Sequence, residues 1–424
     1  MNNYFSKIFF SLTVITGFIF ISFNLKSADF KELTVRGGLP SFTGKALKGD
    51  TLKVAYLGGS ITEQPGWRVY SLDWFREQFP QSTFIEINAA IGGTGSDFGA
   101  FRLKKHVLEF KPDLLFVEFA VNDDGKDREN IERSMEGIIR QCKSFNSEID
   151  ICLIYTIKQN FLEIMAQGEQ PPSIEAMEQV AQHYNLPSIN FGIDVATQIK
   201  AGNLIMMANE IEKDEKKVFS SDGVHPFLET GHRIYHQAFV RSFKSIIAKN
   251  YSAKSNDRLP QPMKSDSYSE ASLLNFEELP VQPGWQKITL TEDSKINRVN
   301  KLVKSAVLSE IPEASINFSF TGSAVGACDL MGPGAGRVIV KIDGETIDTL
   351  IRFDKYSTYW RANYFLIDNL KDTTHFVSLI QYEEPFDKTA ILDPTQNSKA
   401  GEVEYQTFKW YPCEFLINGQ INNK

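Results

Sequence analysis

The segment Ser221-Asp222-Gly223-Val224-His225-Pro226 sets a carboxylate and an imidazole three residues apart on a glycine-containing, proline-ended loop. That spacing lets Asp222 accept from one ring nitrogen while the other nitrogen faces a hydroxyl, which makes a serine nucleophilic. Ser60 stands in Gly58-Gly59-Ser60-Ile61-Thr62, at the end of an apolar run and before a helical pattern. A serine on such a turn is held out over a sheet edge, and the glycines let a substrate approach the backbone. Alone, the pentapeptide reads equally well as a helix-capping serine. A phosphate-binding loop would need GxxxxGK[ST], which is not present. Gly92-Gly93-Thr94-Gly95 has backbone N–H groups free to meet a developing oxyanion, and Asn122 closes a third apolar run with an amide that can do the same. Taken singly, each of these is also an ordinary loop.

Other candidates carry less chemistry. His232 and His236 are four apart in a helical pattern with no Glu after the first, so packing is favoured over a metal site. Asp123 and Asp124 are adjacent, so their side chains diverge, and no partner marks them as a glycosidase pair. The charged run 210–217 reads as a solvated face, with a lid over Asp222 as the alternative. Cys142 with Cys152, and Cys328 with Cys413, leave disulfides open in an oxidising compartment.

The elements that must position these residues alternate. Short runs rich in Val, Ile and Phe at 52–57, 83–88, 113–120 and 150–155 are separated by helical patterns at 67–79, 98–110 and 130–145. Further helical patterns follow at 173–184 and 229–249. Strands buried on both faces between helices imply a parallel sheet, with active groups at the strands' C-terminal ends. Ser60, Gly93, Asn122 and His225 are expected to converge there, with Ser60 Oγ about 3–4 Å from a His225 nitrogen. From residue 250 the chain turns polar, and beyond it the period becomes two. Ile316, Phe318 and Phe320 alternate with polar residues, as do Val338, Val340 and Ile342, which run into the hairpin pair Asp343-Gly344. This part reads as an all-β sandwich.

In order, the four blocks Ser60, Gly93, Asn122 and Asp222-x-x-His225 resemble the SGNH (GDSL-type) hydrolase superfamily over about residues 50–248. The first block departs from the family's Gly-Asp-Ser-Leu, and Ala120 stands where the third block often has Gly. The resemblance implies a three-layer, flavodoxin-like α/β domain followed by a jelly-roll-like β-sandwich. It also implies Ser60, Asp222 and His225 as catalytic triad, and Ser60, Gly93 and Asn122 as oxyanion donors. No cofactor or metal is called for. Glu63 and Trp67, just after the nucleophile, are expected to line the pocket mouth.

Lys7 precedes an uncharged apolar stretch at 8–23 and small residues at Ser27 and Ala28, the pattern of an export signal rather than a membrane span of about 20 residues. The organisation expected is a signal at 1–27, a hydrolase domain at 28–249, a linker at 250–282 and a β-sandwich at 283–424. With 45 basic and 53 acidic residues the net charge is −8, which offers no footprint for nucleic acid or an anionic membrane. Export, the appended sandwich and the lack of a long apolar segment that would suggest an acyl-chain tunnel favour an acetylated oligo- or polysaccharide as substrate. The same triad serves a lipid or thioester hydrolase, and a non-catalytic carbohydrate-binding protein is the reading from another class. Tyr356, Tyr359, Trp360, Tyr364, Trp410 and Tyr411 offer stacking faces for sugar rings, or pack the sandwich. The polar linker predicts few obligatory contacts between the domains, and hence a hydrolase that works alone on small esters, with docking of the apolar stretch Ala271 to Leu279 onto the first domain as the alternative.

Overall fold

The structure is a computed structural model and describes residues 31–249, 259–280, 282–290 and 303–422. The expected signal at 1–27 and the start of the expected linker lie outside the described residues.

The first domain opens with β1 (Leu33–Thr34), α1 (Pro40–Lys48) and β2 (Thr51–Gly58). There follow α2 (Ser60–Glu63), α3 (Trp67–Gln78), β3 (Thr83–Asn88), α4 (Ser96–His106), β4 (Leu114–Glu118) and α5 (Arg128–Phe145). Next come β5 (Asp150–Tyr155), α6 (Gln159–Ala166), α7 (Pro172–His183), β6 (Ser188–Asn190) and α8 (Gly192–Lys200). β7 (Leu204–Met207), β8 (Glu212–Lys213), β9 (Lys216–Ser220) and α9 (Gly231–Ala248) complete it. The main sheet runs β1-β6-β5-β4-β2-β3, with every pair parallel except β1 with β6. The chain steps from β2 to β3 on one side and then to β4 on the other, so a crevice opens between the C-terminal ends of β2 and β4.

Burial explains why these runs became strands: every residue of β4 and β5 is buried, and helices cover both faces of the sheet. On one face Phe42 of α1 and Phe243 of α9 both pack on Phe75 of α3, at 5.1 and 4.9 Å between ring centroids. α4, α5 and α7 cover the other face. The charged run 210–217 folds into a tight β8–β9 hairpin, with Asp214 and Glu215 at φ 51° and 60°, in a small sheet with β7. It stays exposed, as expected of a solvated segment, but carries the chain into the Asp222 loop.

The second domain is antiparallel. Its strands are β10 (Ala271–Asn275), β11 (Trp285–Thr289), β12 (Ser305–Ser309), β13 (Ser315–Met331), β14 (Arg337–Ile342), β15 (Glu345–Ile351), β16 (Arg361–Ile367), β17 (Thr373–Tyr382) and β18 (Pro412–Asn422). Seven form one sheet, β10-β18-β13-β17-β14-β15, with β16 also on β13. The pair β11–β12 adds Trp285 and Val307 to the core that this sheet builds from Phe318, Val340, Phe415 and Trp410. The expected hairpin forms at Asp343 and Gly344, both at positive φ (55° and 89°), between β14 and β15.

The expected independence of the two domains is not what the structure shows. Ala271–Asn275, inside the expected 250–282 linker, pairs with β18 as a sheet strand and packs on α4. One apolar cluster runs from the hydrolase core into Leu273, Cys328, Leu330, Tyr411 and Leu416 of the β domain. Along α5, Glu136 accepts the backbone N–H groups of Met263 and Lys264, and Arg133 meets Asp266, Asp368 and Asn369. A polar composition between domains says nothing about the apolar residues that flank it, and here those residues dock. All four cysteines are free, buried thiols.

His106, at the end of α4, is buried with no hydrogen-bond partner for either ring nitrogen among the described residues. Burial, with Arg102 and Lys105 nearby, pulls its imidazole down from 6.5 to about 3. Between those values the unfolded chain holds a proton that the folded one refuses, so stability falls as pH drops below 6.5. At pH 5 this amounts to about 2 kcal/mol. Urea unfolding of His106→Leu should therefore lose less stability between pH 7 and pH 5 than the parent. An equal loss in both would contradict the assignment.

Candidate active site

Gly59 and the short helix α2 turn the chain sharply at the end of β2 and present Ser60 at its first position, half-buried. Beneath this turn lies Glu118, fully buried at the end of β4. It accepts from Thr62 Oγ1 at 2.7 Å and Thr156 Oγ1 at 2.6 Å, and takes the Gly59 N–H as well. Burial pushes its carboxyl up, and the hydrogen bonds from Thr156 and Thr62 pull the other way. Glu118 thus ties the serine turn to β4 and β5. Sequence reasoning missed this role, although Thr62 and Glu118 both stand inside the blocks that it singled out.

Ser60 Oγ lies 2.8 Å from His225 Nε2, and His225 Nδ1 lies 2.6 Å from Asp222 Oδ2. The loop that holds this pair is braced by its own backbone. Asp222 Oδ1 accepts the N–H groups of Val224 and His225 at 2.9 and 2.8 Å, and the Ser220 hydroxyl at 2.8 Å. Phe227 N–H donates to Phe219 O at 2.8 Å and fixes the loop's exit. Burial tends to raise the Asp222 carboxyl, but the bonds from His225, Val224 and Ser220 outweigh it and hold the group well below the usual carboxylate range. An ionised Asp222 on Nδ1 keeps the Nδ1–H tautomer and leaves Nε2 as an acceptor toward Ser60.

Gly93 sits after β3 at φ 74°, with open space where a side chain would be. Asn122, after β4, lays its amide against the Gly59 α-carbon, so closely that a Cβ at Gly59 would fall on it. The Asn122 side chain makes no hydrogen bond among the described residues, and its Oδ1 is buried. Ser60, Asn122 and His225 therefore gather at the C-terminal edge of the sheet, with Gly93 next to Gly92, which lies against Ser60.

The two residues expected to line the pocket mouth, Glu63 and Trp67, are placed differently. Glu63 is half-buried, and its Oε2 accepts the Gly92 N–H at 2.8 Å, so it braces the Gly92–Gly93 loop from below. Trp67 is fully buried rather than at a pocket mouth. Its ring packs on Tyr56, Phe116 and Phe191, and its Nε1 donates to Thr62. As an apolar face of α3 directed at the sheet, it belongs to the core.

His232 takes the Trp67 N–H on Nδ1 at 3.1 Å, and its Nε2 donates to Gln64 at 2.9 Å. Burial, with His225 nearby, pulls it down to about 3, so it acts as a neutral strut. Asp123 and Asp124 do diverge: the first faces Ser96 and the second faces Lys158 and Asn160.

A cleft of about 460 Å³ opens from Gly93 along the β domain, walled by Asp97, Asn130, Asn363, Tyr364 and Asp368 among others. Of the aromatics expected to stack on sugars, Trp410 and Tyr411 are buried. Trp360 packs on Tyr411, and Tyr364 packs on Phe98 of α4. Only Tyr356 and Tyr359 are exposed, in the loop before β16. No helix among the described residues is long and apolar enough to cross a membrane.

Residues 56–234 match the GDSL-like lipase/acylhydrolase family. A two-domain esterase active on acetylated mannans, solved with mannopentaose, shares the fold at a TM-score of 0.70 and 20% identity, covering 93% of this chain and 98% of that one. A second structure of a two-domain esterase active on acetylated mannans gives a TM-score of 0.69 at 20% identity, over 92% and 98% of the two chains. No curated protein matches the chain in sequence. With an SGNH-type α/β domain, and with the serine, histidine and aspartate of the blocks in hydrogen-bond contact, the chain belongs through residues 56–234 to the GDSL-like lipase/acylhydrolase family of carboxylic ester hydrolases.

Proposed function

We propose that this esterase removes O-acetyl groups from carbohydrate outside the cytoplasm, through an acetyl-Ser60 intermediate formed at the mouth of the interdomain cleft. The observation that carries the reading is the Ser60–His225–Asp222 relay, at 2.8 and 2.6 Å, with Gly93 of the neighbouring loop lining a polar cleft. His225 Nε2 takes the Ser60 proton as Oγ attacks the acetyl carbonyl, and Asp222 stabilises the imidazolium. The oxyanion meets the N–H groups of Ser60 and Gly93 and the Asn122 amide. The tetrahedral intermediate collapses to acetyl-Ser60 as its bond to the sugar oxygen breaks and His225 gives that oxygen the proton. Water, deprotonated by the same imidazole, then releases acetate and regenerates Ser60.

The cleft walls favour a sugar over a lipid. Asp97, Asn130, Asn363 and Asp368 give the wall a polar surface that suits sugar hydroxyl groups better than an alkyl chain. The mannan esterase with the same two-domain fold makes acetylated mannan the first glycan to test. The apolar stretch at 8–23 supports export to meet such a polymer. Acetate release from acetylated mannan and xylan should be readily measured, and p-nitrophenyl acetate should exceed p-nitrophenyl octanoate in kcat/KM by about 100-fold. Equal or better turnover of the octanoate would favour the lipid reading.

A further inference from the structure

The loops that carry Gly93 and Asn122 are joined to the β domain through one polar cluster. Asp123 follows Asn122 and accepts the Ser96 N–H at 3.1 Å, three residues after Gly93. Lys126 Nζ lies 3.3 Å from Asp123 Oδ1 and 2.6 Å from Asp97 Oδ1, bridging the two loops. Tyr364, on β16, closes the cluster. Its hydroxyl donates to Asp97 Oδ1 at 2.6 Å, and it stands 3.3 Å from Lys126 Nζ and 3.4 Å from the Gly95 N–H. Its ring stacks on Phe98 at 4.8 Å, with 13° between the planes. Asp97 and Asp123 are both buried, and the two carboxyl groups share a single ammonium. Any donor removed from this group leaves a buried carboxylate short of a partner.

We propose that the Tyr364 hydroxyl is a positioning group for ester hydrolysis: it holds Asp97 and Lys126, and through them Asp123 and Ser96, so that the Gly93 N–H and the Asn122 amide stay converged on the oxyanion. The proposal rests on the esterase reading above, and it makes the β domain part of the catalytic apparatus rather than only a wall of the cleft. Burial, with Asp97 beside it, pushes the Tyr364 phenol up, so the group remains a donor through neutral pH. A side chain that served only the interface would act through its ring, which Tyr364→Phe retains.

The test is Tyr364→Phe in the full chain, assayed with p-nitrophenyl acetate, a substrate too small to need the cleft. Loosened oxyanion donors predict a kcat loss on the order of tenfold, with KM within about twofold and the melting temperature little changed. Lys126→Gln reports on the same cluster from the hydrolase side, with a side chain 26% exposed, and should give a similar loss even where Tyr364→Phe folds poorly. The double variant should lose little more than either single one, because groups that act as a unit are not additive. An unchanged kcat, an effect confined to KM, or fully additive losses would overturn the proposal. Parent protein that turns over no ester would overturn the esterase reading and this one together. Normal parent turnover with an unaltered Tyr364→Phe would overturn this one alone.

Discussion

Ser60→Ala should lower kcat on p-nitrophenyl acetate by at least about 10³-fold while leaving the melting temperature where it was. The side chain is half-buried, and its hydroxyl's recorded bond is to His225, so the fold loses little with it. His225→Ala should be as severe, and the double variant no worse than either single one, since nucleophile and base act together. Asp222→Asn should cost less. The amide oxygen can still take the backbone N–H groups of Val224 and His225, so the loop keeps its shape. Its NH₂ then faces Nδ1 and favours the tautomer with the proton on Nε2, which cannot accept from Ser60. Steady-state kinetics on the four purified variants checks the ranking. More than a tenth of parental turnover in Ser60→Ala would exclude that residue as nucleophile.

A chain ended after residue 255 should yield aggregated protein, or a soluble one with little turnover of even p-nitrophenyl acetate. The cut uncovers the apolar side of α4, where Phe98 has lost Tyr364 and Phe101 has lost Tyr268. It also removes the backbone donors of Met263 and Lys264, leaving the buried Glu136 carboxylate short of them, and strips Arg133 of Asp266 and Asp368. Exposed apolar surface of this kind drives association. Size-exclusion chromatography with an ester assay on residues 28–255 decides the matter. A monomer with parental kcat on the small ester would show that the β domain is dispensable for chemistry.

The parallel sheet was legible because its strands are buried on both faces. Runs such as 113–120 and 150–155 carry that burial in Leu114-Leu115-Phe116-Val117 and Ile151-Cys152-Leu153-Ile154. Ser60, Gly93, Asn122, Asp222 and His225 stood out through the order of their four blocks, since each block alone reads as an ordinary loop. β1 and β6, two and three residues long, are too short to leave a pattern. The interdomain contact was legible only as an alternative, in the apolar stretch 271–279, and not in its partners. Phe98, Tyr364 and Trp410 have the same composition signal whether they meet a sugar, a core or another domain, and only the fold separates those cases. Trp67 was misplaced for the same reason: nearness to Ser60 in sequence put it at the mouth, while the pitch of α3 turns it inward. Glu118 and Lys126 act through partners distant in the chain or across the domain boundary, and spacing along the sequence does not record such partners.

Trapping the intermediate tests the central claim most directly. Protein mixed with p-nitrophenyl acetate, quenched in acid within the first turnovers and digested, should carry one acetyl group on the peptide that holds Ser60 by mass spectrometry. The same label should appear after exposure to acetylated mannan and be absent from Ser60→Ala. Acetate released at the parental rate by Ser60→Ala, or a label on another residue with Ser60 unmodified, would contradict the account.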